Sequence, residues 1–221
     1  MISNLGRKLV AQPLAQIVAW IQDTGITPNA LSIIGFILTG VSALLIAFGY
    51  FLLGGVVLFC AGFFDMLDGA LARATQQSSV FGAFIDSTLD RYSESITLFA
   101  FVYYYSVNFG HSIELILVFL ILVGSLMVSY VRARAEALNI ECKGGLLQRP
   151  ERVLLLIFGL VTGWIVPVLW IQAIFTNISA IQRIFEVYAR TRQKAVDSDA
   201  TSSTPKSQKA MEPRDSTSIQ R

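Results

Sequence analysis

Apolar residues run along this chain in six blocks separated by short polar or glycine-bearing breaks. The blocks extend from about Leu31 to Tyr50, Leu52 to Leu71, Phe84 to Val107, Ile113 to Ala137, Arg152 to Ile165 and Pro167 to Val187. A helix that crosses a bilayer needs about 20 mostly apolar residues. The pattern therefore predicts an all-α integral membrane protein with six transmembrane helices, the fifth of them short. Thr27-Pro28-Asn29 precedes the first block, with Pro28 suited to a first helical turn and Thr27 to its cap. The break at Tyr50-Phe51 is very short, and Gly163-Trp164-Ile165-Val166-Pro167 marks a turn before the last block. Ahead of all of these, Leu5, Val10, Leu14, Ile17, Val18 and Ile21 recur at helical spacing. That spacing predicts an N-terminal amphipathic interfacial helix, although an ordinary packed helix has the same pattern. Arg7, Lys8 and Asp23 interrupt the segment, so it does not read as a cleavable signal peptide.

Composition agrees with a membrane assignment. The chain is 54% hydrophobic and 14% charged, against about 25% charged residues in soluble domains. Charge placement predicts orientation. Arg7, Lys8, Arg73, Arg132, Arg134, Lys143, Arg149, Arg152, Arg183, Arg190, Arg192 and Lys194 all fall at one face of the six-span layout. The opposite turns, near Tyr50, at Asn108-Phe109-Gly110-His111 and near Val166, carry no Lys or Arg. The positive-inside rule then puts both termini and the charged face in the cytoplasm, at the cell (inner) membrane. Tyr103, Tyr104, Tyr105, Trp164 and Trp170 fit an aromatic belt at the far interface. Residues 1–194 read as one membrane domain. Residues 195–221, rich in Ser, Thr, Lys, Gln, Asp and Pro, read as a disordered cytoplasmic tail. Cys60, Cys142 and the single His111 have no spacing that suggests a disulfide framework or a zinc site.

One stretch departs from the apolar pattern. It reads Asp65-Met-Leu-Asp68-Gly69-Ala-Leu-Ala72-Arg73, then eight residues, then Gly82-Ala-Phe-Ile-Asp86-Ser-Thr-Leu-Asp90. A carboxylate at the membrane centre costs about 2.5–3.5 kcal/mol, so four uncompensated ones cost on the order of 10 kcal/mol. Asp65 and Asp68 share one helix face and Asp86 and Asp90 another. The polar segment Thr75–Ser79 between them is long enough to reverse the chain, so the two faces can meet near the cytoplasmic ends of the second and third spans. The result is an oxygen-rich cage suited to Mg²⁺ or Mn²⁺. Gly69 and Gly82 leave room for a bulky ligand or for close helix packing. Carboxylate-bound magnesium usually partners phosphates and favours displacement at phosphorus, and a carboxylate at the edge of such a cage can serve as base. Asp90, the last of the set, is the candidate base. A helix pair neutralised by Arg73 and Arg91 has too little positive charge for four aspartates and Glu94. A divalent-cation transporter is a rival of a different class, although its acids are expected near midplane or along a pore.

The acidic pattern, Asp-x2-Asp-Gly-x2-Ala-Arg-x8-Gly-x3-Asp-x3-Asp, resembles that of the CDP-alcohol phosphatidyltransferase family. All eight fixed positions are present, at Asp65, Asp68, Gly69, Ala72, Arg73, Gly82, Asp86 and Asp90. The six-span layout and the preceding helix are also similar, so the resemblance covers about residues 1–190. It implies transfer of a phosphatidyl group from a CDP-linked lipid to an alcohol, with release of CMP. It also implies metal ligation by Asp65, Asp68, Asp86 and Asp90, with Asp90 as the base. Asn29, Ala30, Leu31, Ser32, Gly69, Arg73 and Ser79 match positions that contact the CDP-lipid, Ser79 standing where Thr is usual.

A basic set narrows the acceptor. Arg132 and Arg134 end the fourth block, Arg149 and Arg152 open the fifth, and Arg183 lies near the end of the sixth. Arginine grips phosphate through paired hydrogen bonds. Arginines at cytoplasmic span ends also satisfy the charge rule by themselves and touch anionic headgroups. The strings Ala-Arg-Ala-Glu-Ala and Arg-Pro-Glu-Arg, with Asp-Met-Leu-Asp-Gly-Ala, resemble the bacterial phosphatidylinositol phosphate synthase branch of the family, with Arg132 where lysine is usual. That resemblance implies inositol 1-phosphate as acceptor, CDP-diacylglycerol as donor, Arg132, Arg134, Arg149, Arg152 and Arg183 around the acceptor phosphate, and a homodimer in the bilayer. No nucleic-acid partner is expected. Glycerol 3-phosphate is the alternative acceptor.

Overall fold

The computed structural model describes residues 16–22, 24–76, 79–110, 112–142 and 144–202. Leu5, Val10, Leu14, His111, Lys143 and the tail from residue 203 lie outside the described residues. Six long or medium helices follow one another: α1 (Pro28–Ala47), α2 (Phe51–Ala74), α3 (Val80–Phe109), α4 (Ile113–Ala137), α5 (Arg149–Thr162) and α6 (Ile165–Ser202). No strand occurs among the described residues.

Local chemistry sets most of the boundaries. Thr27 caps α1 by accepting a hydrogen bond from the Ala30 amide, and Pro28 occupies the first turn, as predicted. Helix α3 starts at Val80, four residues before the expected Phe84, because the Ser79 hydroxyl accepts from the Gly82 amide at 2.9 Å. Helix α5 starts at Arg149 because Gln148 and Glu151 form a reciprocal capping box, and it ends at Gly163, whose φ of 78° is left-handed. Helix α6 runs to Ser202 and so carries the helix past residue 195, where the tail was expected to begin.

Among the described residues four helices are long and apolar enough to cross a membrane: α1, α2, α4 and the Ile165–Gln193 part of α6. Helix α3 has the length but is polar in its first half, which holds Asp86, Asp90, Arg91 and Glu94. Helix α5 has only 14 residues, about 21 Å at 1.5 Å per residue.

Among the described residues the helices form a closed ring in which each packs against two neighbours, in the order α1, α2, α5, α6, α4, α3 and back to α1. Helices α2 and α3, which carry the aspartates, are therefore not adjacent. Both pack on α1, which lies between them in the ring order. The crossing of α1 and α2 is close. A Cβ on Gly54 would stand 2.7 Å from Ile46 Cγ1, and the Ser42 hydroxyl donates to the Gly54 carbonyl at 2.7 Å. The main core joins Ile46, Leu98, Phe101, Leu117, Ile121, Leu160 and Leu169. A second cluster joins Val18 and Ile21 of the 16–22 helical segment to Leu31, Leu67 and Leu71, while Trp20 is exposed. The described end of the N-terminal segment is thus docked on the bundle. Tyr104 and Tyr105 do not form a lipid-facing belt: Tyr104 stacks edge-on against Phe51 and against Tyr105, which is buried. Tyr103, Trp164 and Trp170 are exposed.

Candidate active site

Helical periodicity puts Asp65 and Asp68 on one side of α2, and Asp86 and Asp90 on one side of α3. The ring turns both sides inward. Asp65, Asp68 and Asp86 each bring a carboxylate oxygen to a common point, all within 4.8 Å of one another. Asp90 lies beside this trio, and its Oδ1 is 2.7 Å from Arg149 Nη1. The expected four-carboxylate set is therefore arranged as three convergent acids and a neighbour held by an arginine.

Neighbours fix the acids. Ser32 Oγ donates to Asp68 Oδ2 at 2.5 Å and so ties α1 to α2 at the buried end of the cluster. Gly82 leaves space for Asn29, whose Oδ1 would lie 3.1 Å from a Cβ at position 82. The exposed Arg73 guanidinium lies over Gly69, 3.4 Å from where a Cβ would be. Asn29, Ser32, Gly69, Arg73 and Ser79 therefore stand along the α1, α2 and α3 ends that border the acids. Leu31 differs. It is 2% exposed and packed among Val18, Leu67 and Leu71, so its side chain is core. Ala30 is half-buried and donates its amide to the Thr27 cap.

The basic residues separate into distinct roles. Arg149 Nη1 donates to Asp65 at 3.0 Å (Oδ2) and 3.3 Å (Oδ1) while also reaching Asp90, so it belongs to the acidic cluster itself. Arg152 is buried. Its Nε and Nη2 donate to the two oxygens of Glu94 at 2.7 and 3.0 Å, Nη2 also to Ser125 and Nη1 to the Leu147 carbonyl. Arg183 is buried too, donating to the carbonyls of Gly144 at 2.8 Å and Val128 at 2.7 Å. These contacts make Arg152 and Arg183 ties between helices and loop. Arg132 and Arg134 are exposed at the end of α4, Arg132 pairing with Glu136 at 2.8 Å. Arg91, considered above as a counter-charge, turns back to the Ser87 carbonyl of its own helix. Arg149 on α5 supplies a direct countercharge to the cluster.

The donor set fits a hard divalent cation. Three carboxylate oxygens on rigid helices suit Mg²⁺ or Mn²⁺ and not a thiophilic metal. These oxygens lie within 4.8 Å of one another, so one such ion could be shared among them.

Residues 25–184 match the family profile described as CDP-alcohol phosphatidyltransferase. The chain is 38% identical over 195 residues to the archaetidylinositol phosphate synthase of Pyrococcus horikoshii, covering 86% of this chain and 98% of that one. It is also similar to the crystal structure of Mycobacterium tuberculosis phosphatidylinositol phosphate synthase with CDP-DAG bound, with a TM-score of 0.73 and 29% identity over 79% of this chain and 93% of that one. The same mycobacterial enzyme in complex with manganese and citrate matches with a TM-score of 0.72 and 28% identity over 79% of this chain and 88% of that one.

Proposed function

The chain belongs to the CDP-alcohol phosphatidyltransferase family, and from that premise we propose that it transfers the phosphatidyl group of CDP-diacylglycerol to inositol 1-phosphate, forming phosphatidylinositol phosphate and CMP. The observation that carries this reading is the convergence of Asp65, Asp68 and Asp86 oxygens with Asp90 alongside. The relatives add the acceptor. The archaeal and the mycobacterial enzymes are both named for an inositol phosphate product and differ in the lipid part of the name.

A Mg²⁺ or Mn²⁺ ion held by Asp65, Asp68 and Asp86 would stabilise the charge of the diphosphate and of the departing CMP. Ser32 keeps Asp68 oriented. Asn29, Gly69, Arg73 and Ser79 border the space for the CDP group, and the absence of side chains at Gly69 and Gly82 lets it approach the helices. Asp90 takes the proton of the attacking acceptor hydroxyl. That oxygen forms a bond to the lipid-bearing phosphorus, and the bond between this phosphorus and the oxygen of CMP breaks. Arg132, Arg134, Arg149, Arg152 and Arg183 are the basic residues proposed to hold the acceptor phosphate.

In the bilayer the reading is a six-span protein. The apolar second half of α3 and the 14-residue α5 complete the span set given by α1, α2, α4 and α6. The 16–22 segment belongs to an interfacial helix, the acids and both termini face the cytoplasm of the cell membrane, and the protein works as a homodimer. The one-sided distribution of Lys and Arg supports the orientation. Proteoliposomes supplied with CDP-diacylglycerol, inositol 1-phosphate and Mg²⁺ are expected to accumulate phosphatidylinositol phosphate and CMP in equal amounts. A lipid mass spectrum without that product overturns the reading. Mg²⁺ flux without CMP release would favour a transporter.

A further inference from the structure

Arg149 occupies a position that a simple phosphate ligand would not need. One nitrogen, Nη1, touches both oxygens of Asp65 on α2 and Oδ1 of Asp90 on α3. It thus bridges two helices that do not pack on each other. Asp65 is also one of the three acids that converge. A guanidinium on Asp65 and a divalent ion on Asp65 compete for the same oxygens, and their positive charges repel at such short range. The rest of the guanidinium is incompletely engaged: Arg149 Nε is buried and has no hydrogen-bond partner among the described residues. A buried donor without a partner is costly, and it marks an arrangement that a different set of contacts improves.

The backbone around Arg149 is fixed by local contacts, while its side chain keeps some exposure. The capping box of Gln148 and Glu151 and the ring of Pro150 hold the first turn of α5. Arg152, one turn on, is clamped by Glu94, Ser125 and the Leu147 carbonyl. The Arg149 side chain remains 29% exposed.

We propose that Arg149 is a counter-ion of Asp65 and Asp90 that exchanges with the divalent cation. Metal entry displaces the guanidinium from Asp65 and Asp90, frees Asp90 for its proton, and makes the guanidinium available to an anionic acceptor. This deepens the metal-dependent transfer reading and rests on it. Because linkage is reciprocal, an acceptor phosphate that captures Arg149 raises metal affinity by the same factor that metal raises acceptor affinity.

The test is Mn²⁺ binding, followed by electron paramagnetic resonance of the free ion, to the purified full chain in detergent. With the competing cation removed, Arg149→Gln is expected to bind Mn²⁺ about tenfold tighter than wild type, within the usual range of such couplings. Arg149→Lys, which keeps a charge but not the fork, is expected to fall between them. Local damage would weaken binding, so a gain is specific to the exchange. Equal or weaker Mn²⁺ binding by Arg149→Gln overturns the proposal. If that variant does not fold, the wild-type chain decides. Phenylglyoxal modification of Arg149, read by peptide mass spectrometry, is expected to be faster with saturating Mn²⁺ than with EDTA. Equal protection in both overturns the exchange. The two readings fail separately. Tighter Mn²⁺ binding by Arg149→Gln without CMP release from wild type leaves the exchange standing and removes the transferase. CMP release with no affinity gain does the reverse. A wild-type chain that binds no Mn²⁺ overturns both.

Discussion

Arg152 and Glu94 meet as a fork, Nε to Oε1 at 2.7 Å and Nη2 to Oε2 at 3.0 Å, and so lock α5 onto α3 beside the acidic cluster. Ser125 of α4 shares Nη2, and Gln172 of α6 donates to the Arg152 carbonyl at 2.6 Å, so four helices meet at one ion pair. Arginine side-chain exposure is only 3%. Removing one partner of such a buried pair leaves an uncompensated charge, at a cost of about 3–5 kcal/mol. Arg152→Ala is therefore expected to lower the melting temperature strongly in detergent. The double replacement Glu94→Leu with Arg152→Met, which removes both charges, is expected to recover most of that loss. A double variant no more stable than the single one would contradict the pairing energetics.

Asp90 stands outside the three convergent acids and beside them. Asp90→Asn is expected to lower CMP turnover by about 10²–10⁴, the usual contribution of a positioned base. Mn²⁺ binding by Asp65, Asp68 and Asp86 is expected to persist in the same variant. Single-turnover CMP release and a Mn²⁺ titration on one preparation separate the two effects, and unchanged turnover removes Asp90 from the base role.

Ser32 is a support for Asp68 before it is anything else. Losing a hydrogen bond to a ligating carboxylate typically costs about 10–100-fold in metal affinity. Ser32→Ala is expected to show a loss of that size in Mn²⁺ titrations, with Ser32→Thr restoring much of it. Equal affinity in Ser32→Ala would mean that the contact does not orient the ligand.

Much of the site was readable along the chain because its logic is local. Periods of three and four residues put each pair of aspartates on one face, and Thr27-Pro28 announced the start of α1 because capping involves only neighbours. The same local chemistry was available at Ser79 and at Gln148-Arg149-Pro150-Glu151, where hydrophobicity alone set the starts of α3 and α5 too late. What periodicity does not contain is which helices are neighbours. Arg149 reaches Asp65 across 84 positions and Arg152 reaches Glu94 across 58. A row of arginines at one face thus looked uniform in sequence, while the ring order of the helices sends Arg149 to the acids, Arg152 to Glu94 and Arg183 to backbone carbonyls. Tyr104 and Tyr105 looked like belt residues for the same reason: amphipathic aromatics suit either an interface or a packed cluster.

Cys142 gives a pH-dependent check on the loop between α4 and α5. Burial raises its thiol pKa above the ordinary value, and the nearby Glu186 carboxylate, 3.7 Å from Sγ, adds to the rise. A raised pKa means less thiolate at a given pH, so alkylation is delayed to higher pH. In a Cys60→Ser background, iodoacetamide labelling of Cys142 is expected to rise at higher pH than labelling of free cysteine. Glu186→Gln is expected to shift the profile back toward lower pH. Labelling of Cys142 with the profile of free cysteine would contradict the closed arrangement of this loop.

The central claim is the identity of the reaction, and CMP release across a panel of acceptors tests it most directly. Purified protein in liposomes with CDP-diacylglycerol and Mg²⁺ is to be offered inositol 1-phosphate, inositol, glycerol 3-phosphate and glycerol in parallel. The account predicts rapid CMP release with inositol 1-phosphate, little with the other three, and none after EDTA. Release with glycerol 3-phosphate at an equal or greater rate, or no release with inositol 1-phosphate, would contradict it.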